Sequence, residues 1–225
     1  MLIVSIDTSG RKGSIALCRG DEKSFEVLRL TSLEGGTYSA RLMPHIADAL
    51  KPSNFQKTDV DGFVVVSGPG SFTGLRVGLA TVKGLCEVLQ KPLAIVSMLE
   101  ALAITYCDCE TVTAVLDAGR SEVYVGRYRV ISNRAELLGE YIAKLEALVG
   151  DAPGPDRNIV TPDARVVEAF LAGSQSARLV NPVLADEIGR IGIRKLLSGE
   201  HADPATVDVN YIRRSDAEIF SAPNP

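Results

Sequence analysis

Apolar positions near the start of the chain follow the pattern of short strands joined by tight turns. The apolar run at residues 2–6 ends at Asp7, and two further runs, SIALCRG at 14–20 and SFEVLRL at 24–30, follow turns that contain glycine or aspartate. Short apolar or alternating runs between turn residues are typical of β-strands. The pattern therefore predicts a meander of three strands.

The spacing of apolar residues then changes from that of strands to that of helices. In residues 38–50, YSARLMPHIADAL, apolar residues recur every three or four positions, which predicts a helix with Ser39 as its N-cap. Residues 61–67 form a nearly continuous apolar run, typical of a strand buried on both faces. Residues 73–89 again show helical spacing, after the glycine-rich stretch GPGSFTG at 68–74.

The next segment predicts one more strand and helix. PLAIV at 92–96 is a short apolar run, and Ser97 with Glu100 forms the capping box expected where a helix begins. Near the end of the chain, residues 184–199 predict a helix that ends at Gly199. This order of strands and helices indicates an α/β protein.

The opening pattern recurs near the middle of the chain. Residues 111–130, TVTAVLDAGRSEVYVGRYRV, are again an apolar run that ends in an aspartate, Asp117, followed by a turn with glycine and a second apolar run. Compared with residues 2–20, this stretch predicts an internal duplication. Residues 150–158 form a Pro/Gly-rich loop, and we expect the tail beyond Phe220 to be loose.

Composition and charge narrow the function classes. The chain has 225 residues and a formal net charge of -4, so it lacks an overall positive surface for gripping nucleic acid unaided. We expect a cytoplasmic protein, since no signal peptide or membrane-spanning run is recognisable. The four cysteines lack the paired spacing of a zinc site and are expected to be reduced thiols.

The stretch GPGSFTG does not match the common phosphate or nucleophile loops. A P-loop closes with Gly-Lys-Ser/Thr, but Leu75 follows Gly74. The dinucleotide fingerprint has two residues between its last glycines, whereas three separate Gly70 from Gly74. A nucleophile elbow at Ser71 would need glycines two residues away on either side, which are absent. These three chemistries are therefore excluded.

An anion site at the start of the following helix remains possible from the residues. The hydroxyls of Ser71 and Thr73 can cap the first helical amides, and the same amides could hold an anion. Arg76 lies near the positive end of the helix dipole, so we expect it to pair with an acid such as Asp7. The alternative is a purely structural loop with a structural salt bridge.

Small residues on the helix at 73–89 indicate close packing against another backbone. Gly74, Gly78 and Gly84 each cost about 1 kcal/mol relative to alanine, which close approach of another helix would justify. The partner is either the helix at 38–50 or a second chain, and the residues leave both open. Only His45 and His201 supply imidazoles, and they do not form a two-histidine metal pair on one helix.

Taken together, these blocks resemble the TsaB (YeaZ) family. The resemblance covers most of the chain and rests on IDTS (6–9), SARLMPHI (39–46), GPGSFTGLRVG (68–78), LDAGRSEVY (116–124) and NYIRR (210–214). It implies an actin-like (ASKHA, ribonuclease H-like) duplicated fold with a first lobe at 1–106. A reduced second lobe would follow at 107–225, with the tail returning to the first lobe.

The resemblance also implies a function. Members of the family are non-catalytic subunits in transfer of threonylcarbamoyl to N6 of the adenosine 3′ of the anticodon in tRNAs that read ANN codons. They pair with a TsaD-type transferase, work with a TsaE-type ATPase, form homodimers when alone, and meet tRNA only through the complex. No cofactor of its own is implied, although ATP or ADP with Mg²⁺ can lie at the complex interface.

Two sets of residues follow from the resemblance. The partner interface would contain Ser39, Leu42, Met43, Ile46, Gly74, Leu75, Gly78, Leu79, Val82 and Leu85. A remnant nucleotide or anion site would contain Asp7, Thr8, Ser9, Gly70, Ser71, Thr73, Arg76 and Asp117, with no metal ligands. The alternative hypothesis is a small ATPase or phosphotransferase of the same fold that uses Asp7 and Asp117 around a magnesium nucleotide.

Overall fold

A computed structural model of the chain describes residues 1–36, 38–51, 55–150, 158–210 and 212. Their first half forms strands β1 Leu2–Asp7, β2 Lys12–Gly20, β3 Phe25–Glu34, β4 Gly62–Gly68 and β5 Leu93–Ser97, with helices α1 Tyr38–Leu50, α2 Phe72–Leu89 and α3 Met98–Tyr106. Their second half forms β6 Thr111–Gly119, β7 Glu122–Ile131, β8 Arg134–Lys144, β9 Ile159–Thr161 and β10 Arg178–Leu179, with α4 Leu145–Gly150, α5 Ala164–Ala172 and α6 Ala185–Leu197.

The two halves have the same sheet topology. The first sheet has the order β3-β2-β1-β4-β5, and the second has the order β8-β7-β6-β9-β10. In each, the first three strands are antiparallel and the last two run parallel to the first strand. A helix follows the third, fourth and fifth strands of both halves. The predicted duplication and the actin-like α/β class are confirmed: Asp7 ends β1, and Asp117 lies near the end of the equivalent strand β6.

Helices cover the first sheet on both faces. A β-carbon on Gly189 of α6 would lie 3.2 Å from Ser5 Cβ and 3.5 Å from Ile3, so these alternate residues of β1 face α6. Val4 and Ile6 therefore point to the opposite face, where α2 packs against β1 and β4. All residues of β1 and β4 are buried, which agrees with their continuous apolar pattern.

The chain divides into two compact units that are not continuous in sequence. Residues 1–101 and 183–209 form the first unit, and residues 102–182 with Asn210 belong to the second. The expected second lobe at 107–225 differs from this at residues 183–209, which belong to the first unit because α6 lies on the first sheet. Its apolar side is buried there, with Ile188 fully buried. The expected return of the last residues to the first lobe and the block NYIRR at 210–214 lie mostly outside the described residues, as does most of the loop at 150–158.

Helix caps explain where several helices begin and end. Ser71 is the N-cap of α2, and its Oγ accepts from Gly74 N at 3.3 Å, as predicted. Ser97 and Glu100 form the predicted capping box at α3. Ser39 was expected at the N-cap of α1, but this is wrong because α1 begins one residue earlier, at Tyr38. Gly199 follows α6 with a positive φ of 82°, a conformation that favours glycine.

The second unit has a compact apolar core of its own between its sheet and two helices. Strands β6, β7 and β9 and helices α4 and α5 contribute Val115, Val123, Val125, Leu145, Leu148, Ile159, Val166 and Phe170.

None of the helices in the described part of the chain is long and apolar enough to cross a membrane.

Candidate functional site

The turn after β1 holds a buried aspartate. Asp7 is 4% exposed, and its Oδ1 accepts hydrogen bonds from Ser9 N at 2.8 Å and Ser9 Oγ at 2.7 Å. Burial raises the pKa of Asp7, and the two hydrogen bonds from Ser9 offset only part of this effect. The folded protein therefore favours the protonated, neutral form of this carboxyl group more than water does.

The residues after Asp7 are joined tightly to the glycine-rich loop before α2. Thr8 Oγ1 donates to Gly74 O at 2.8 Å, and Ser71 N donates to Ser9 O at 2.6 Å. A β-carbon on Gly70 or Gly74 would lie less than 3.0 Å from the carbonyl oxygen of Ser9 or Thr8, respectively. The stretch GPGSFTG at 68–74 therefore needs glycine at positions 70 and 74, because the turn after β1 packs directly on the start of α2.

The same close packing accounts for Gly78 but not for Gly84. A β-carbon on Gly78 would lie less than 3.0 Å from Thr8 Oγ1, whereas one on Gly84 would meet nothing within 4 Å. The prediction that Gly74 and Gly78 make room for another helix is wrong, because Thr8 of the same chain fills that space. For Gly84, which is exposed, close approach of another helix stays a prediction.

A surface cavity of about 360 Å³ lies at the start of α2. Its lining includes Ser71 and Thr73 from the predicted anion site, with Arg11 and Glu34 contributing charges of opposite sign. Tyr38 also lines it, and its hydroxyl donates to Gly10 O at 2.8 Å. Burial, with a smaller contribution from the charge of Asp7, raises the pKa of Tyr38 to about 12, so this hydroxyl stays a neutral donor.

Arg76 does not pair with Asp7 as predicted. Its guanidinium lies over the ring of Phe72, 3.9 Å from the centroid, on the exposed side of α2. Asp7 is instead held by Ser9. The expected ion pair is wrong because Asp7 is buried in the turn, whereas Arg76 points outward from the helix.

The equivalent turn in the second unit has a different chemistry. Asp117 Oδ1 accepts from Arg165 Nη2 at 2.7 Å and from Gly119 N at 2.9 Å. Asp163, the N-cap residue of α5, accepts from Asp117 N through its Oδ2 at 2.7 Å. Asp117 is thus neutralised by an arginine from the start of α5, which sequence reasoning missed. Asp163 could have been found as a cap residue directly before the helical pattern ARVVEAF.

Neither aspartate turn fits a magnesium nucleotide within this chain. Magnesium prefers accessible, ionised carboxylate oxygens, but Asp7 is buried and favours its neutral form. Asp117 is already paired with Arg165. We therefore derive no chemical step through ATP or Mg²⁺ at these turns.

Most residues predicted at the partner interface are not on the surface. Two of them, Ser39 and Met43, are exposed, and Leu85 is half-buried. The other seven are buried: Leu42, Ile46, Gly74, Leu75, Gly78, Leu79 and Val82. The buried ones belong to the interior of the first unit, where α1 and α2 pack against each other and against the sheet. These buried residues therefore do not form a surface that a partner can reach in this fold.

A different set of residues forms the outer side of α2. Phe72, Arg76, Ala80, Gly84 and Val88 follow one another at intervals of four, and all are exposed. Successive residues at this spacing are neighbours on the surface of a helix, and the five together form a stripe that winds gradually around its exposed side. We call these five residues the outer stripe of α2. In the sequence, the stripe can be recognised as positions of the helix that lie off the buried face formed by Leu75, Leu79 and Val82.

Comparison with known proteins identifies relatives of the chain. The family model for TsaD, tRNA N6-adenosine threonylcarbamoyltransferase, matches residues 35–179. The chain is 36% identical over 130 residues to the tRNA threonylcarbamoyladenosine biosynthesis protein TsaB of Bacillus subtilis, covering 57% of this chain and 56% of that protein. It is 30% identical over 162 residues to TsaB of Haemophilus influenzae, covering 71% of this chain and 66% of that protein.

A solved structure extends the similarity to nearly the whole fold. YeaZ from Pseudomonas aeruginosa superposes with a TM-score of 0.72 and 27% identity, covering 92% of this chain and 98% of that one. Against the curated relatives, by contrast, the chain spans only about half to two thirds of their length. Since the family model spans more than half of the chain and the named relatives agree with it, the chain belongs to the TsaB (YeaZ) family of proteins related to TsaD.

Proposed function

We propose that the chain is a non-catalytic scaffolding subunit required for transfer of threonylcarbamoyl to N6 of the adenosine 3′ of the anticodon in tRNAs that read ANN codons. It acts in the cytoplasm by pairing with a TsaD-type transferase, with a TsaE-type ATPase as a further partner. Support comes from the TsaB relatives, which are named for biosynthesis of this nucleoside.

The observation that carries the non-catalytic assignment is the ion pair between Arg165 and Asp117, at 2.7 Å. It occupies the carboxylate that the alternative, an ATPase or phosphotransferase, would need for magnesium. The other candidate carboxylate, Asp7, is buried and tied to Ser9. This alternative is therefore not favoured, and ATP or ADP with Mg²⁺ would be held together with the partner subunits. Calorimetry on the isolated chain tests this: micromolar ATP binding would contradict it.

The outer stripe of α2, with Met43 of α1, is the surface that fits a partner. Met43 is 50% exposed, Phe72 is 40% exposed and Val88 is 79% exposed, so this surface presents apolar side chains that a partner could cover. Ala80 and Gly84 carry little side chain, so a second helix can come close between Phe72 and Val88. The same surface would serve the homodimer when the transferase is absent. With a net charge of -4, the chain meets tRNA only through the complex.

Depletion in the native host tests the function directly. Nucleoside mass spectrometry of bulk tRNA should show that threonylcarbamoyladenosine falls when the protein is depleted and recovers when the chain is supplied again. Unmodified adenosine at the same position should rise in proportion. Unchanged nucleoside levels after full depletion would rule the proposal out.

Surface substitutions test the pairing. Met43→Asp should abolish co-purification with the transferase while leaving the melting temperature close to that of the wild type, because the side chain is half exposed. Leu171→Asp is the control: Leu171 is 63% exposed and belongs to α5 of the second unit. Loss of pairing in both variants, or in neither, would remove α1 from the interface.

A further inference from the structure

Two cysteines lie one residue apart in the connection between α3 and β6. Cys107 and Cys109 flank Asp108 in a bend, where Cys109 is exposed and Cys107 is partly exposed. The other cysteines, Cys18 and Cys86, are buried, and all four are free thiols. The proposed function uses neither of the accessible thiols.

The geometry of the bend brings the sulfur of Cys107 to the backbone of Cys109. The Sγ of Cys107 contacts the carbonyl oxygen of Cys109, and the Sγ of Cys109 lies 3.0 Å from Thr111 O. Two Cα steps span at most about 7 Å even when extended. A bend shortens this toward the roughly 4.4–6.8 Å that disulfides bridge. The backbone therefore does not have to move far for the two sulfurs to meet.

An arginine fixes this bend from outside. The guanidinium of Arg178 donates to the carboxylate of Asp108 and to the carbonyl oxygen of Tyr106. These two anchors lie directly on either side of Cys107. A fixed cation beside a thiol favours its thiolate, which is the reactive form. The bend is thus held in place by Arg178, whose charge is shared between Asp108 and the surroundings of Cys107.

The environments of the two thiols differ, which sets the order in which they react. Burial raises the pKa of the Cys107 thiol, and the hydrogen bond with the Cys109 backbone and the charge of Arg178 offset only part of this effect. Cys109 is the more exposed of the two. An incoming reagent therefore meets Cys109 first, and Cys107 reacts second.

We infer that Cys107 and Cys109 form a dithiol site that reacts with small-molecule disulfides such as glutathione disulfide and closes to an internal disulfide. The thiolate of Cys109 attacks one sulfur of glutathione disulfide, its S–S bond breaks, and one glutathione leaves as the thiol after taking up a proton. Cys107 then loses its proton and attacks the Cys109 sulfur, which releases the second glutathione. The protein dithiol is oxidised by two electrons, and glutathione disulfide is reduced to two glutathione molecules.

The closed, disulfide form lacks thiol contacts that the open, dithiol form makes. Closure removes the thiol contacts to the carbonyls of Cys109 and Thr111, and the ring spans only Asp108. Small exposed disulfides of this kind are reduced easily by excess thiol. The site is therefore open in a reducing cytosol and closes only when the ratio of disulfide to thiol rises.

Mass spectrometry of the full chain tests this reaction. The folded protein is treated with excess glutathione disulfide, quenched in acid, unfolded, alkylated and cleaved after glutamate. Cleavage after Glu100 and Glu110 isolates both thiols in the peptide ALAITYCDCE, without Cys18 or Cys86. The expected product is this peptide, unalkylated and lighter by two hydrogen atoms. Treatment with excess dithiothreitol before alkylation should restore two alkylated cysteines.

Single variants separate closure from simple surface oxidation. In Cys107→Ser, Cys109 should accumulate as the mixed disulfide with glutathione, because no second thiol is available to displace it. In Cys109→Ser, modification of Cys107 should be at least several-fold slower. A wild-type protein that accumulates the mixed disulfide as fully as Cys107→Ser, with no peptide lighter by two hydrogen atoms, would overturn the inference. Threonylcarbamoyladenosine levels do not enter this assay, so its result is independent of the proposed function.

Discussion

Gly78 of α2 packs directly against the side chain of Thr8. A β-carbon at position 78 would lie less than 3.0 Å from Thr8 Oγ1. Thr8 cannot simply turn away, because this hydroxyl donates to Gly74 O at 2.8 Å. Gly74 and Gly78 thus allow the turn after β1 to pack directly against α2.

Gly78→Ala should therefore destabilise the protein. The added methyl group must displace Thr8 or bend α2, and overpacking of this kind costs about 1–3 kcal/mol in the free energy of unfolding. Urea denaturation followed by circular dichroism measures this cost.

Gly84→Ala on the same helix is the matched control. A β-carbon there meets nothing within 4 Å, and alanine is favoured over glycine in a helix by up to about 1 kcal/mol. The control should be neutral or more stable. Equal effects of the two variants would contradict the packing of Thr8 on Gly78.

The order of strands and helices could be predicted from the sequence because it depends on local spacing. Apolar runs such as 2–6 and 61–67 became strands of the first sheet, and the recurrence of an apolar run ending in Asp117 indicated the duplication. The caps at Ser71 and Ser97 were predictable for the same reason, since each involves residues at most three positions away.

The contacts of the site could not be predicted because they join distant residues. The sequence shows a glycine at position 78 of a predicted helix. It does not show that Thr8, seventy positions earlier in the chain, fills the space beside that glycine. Likewise, an amphipathic pattern predicts α6 without indicating which sheet it covers. Arg165 reaches Asp117 only because β6 and the start of α5 meet in the fold.

Asp7→Asn should make stability less dependent on pH. Folding raises the pKa of Asp7 above the value of about 3.9 in an unfolded chain. Its contribution to stability is thus fully present below about pH 3.9 and is lost as the pH rises through the folded-state pKa. At pH 7 asparagine avoids the buried charge and keeps an acceptor for Ser9, so the variant should be more stable by about 1–3 kcal/mol.

Thermal unfolding at several pH values measures this difference. The advantage of the variant should shrink as the pH falls below about 3.9, because the aspartic acid then becomes neutral in the unfolded state as well as in the folded state. Ser9→Ala serves as the control, since it removes the hydroxyl donor to Oδ1 and should weaken the protein at pH 7. A variant less stable than the wild type at pH 7 would mean that Asp7 is needed as an anion.

Asp163→Ala should lower the stability of the second unit by about 0.5–1 kcal/mol. The carboxylate of Asp163 accepts from Asp117 N at 2.7 Å, and its removal takes away the side-chain acceptor of that amide. Asp163→Asn keeps an acceptor oxygen and should lose less. Arg165→Met, which breaks the exposed pair with Asp117, should cost at most about 1 kcal/mol. Denaturation at low and high salt separates these effects, since only the Arg165 effect should shrink with salt.

Lys195 and Glu100 should show measurable coupling in a double-mutant cycle. Lys195 Nζ donates to Glu100 Oε2 at 2.8 Å, and the two side chains are only 23% and 15% exposed. The same Oε2 accepts from Ser97 N at 3.3 Å, so the pair links α6 to the start of α3 within the first unit. Lys195→Met leaves a poorly hydrated carboxylate without its cation and should cost about 1–3 kcal/mol.

Glu100→Gln completes the cycle because glutamine keeps the capping oxygen and removes the charge. The Lys195→Met substitution should cost less in this background, giving a coupling energy of about 1 kcal/mol or more. High salt should change this value little, since a partly buried pair is screened less than an exposed one. Coupling close to zero would mean that Ile95 O, which accepts from Lys195 Nζ at 3.3 Å, and not Glu100, holds the lysine.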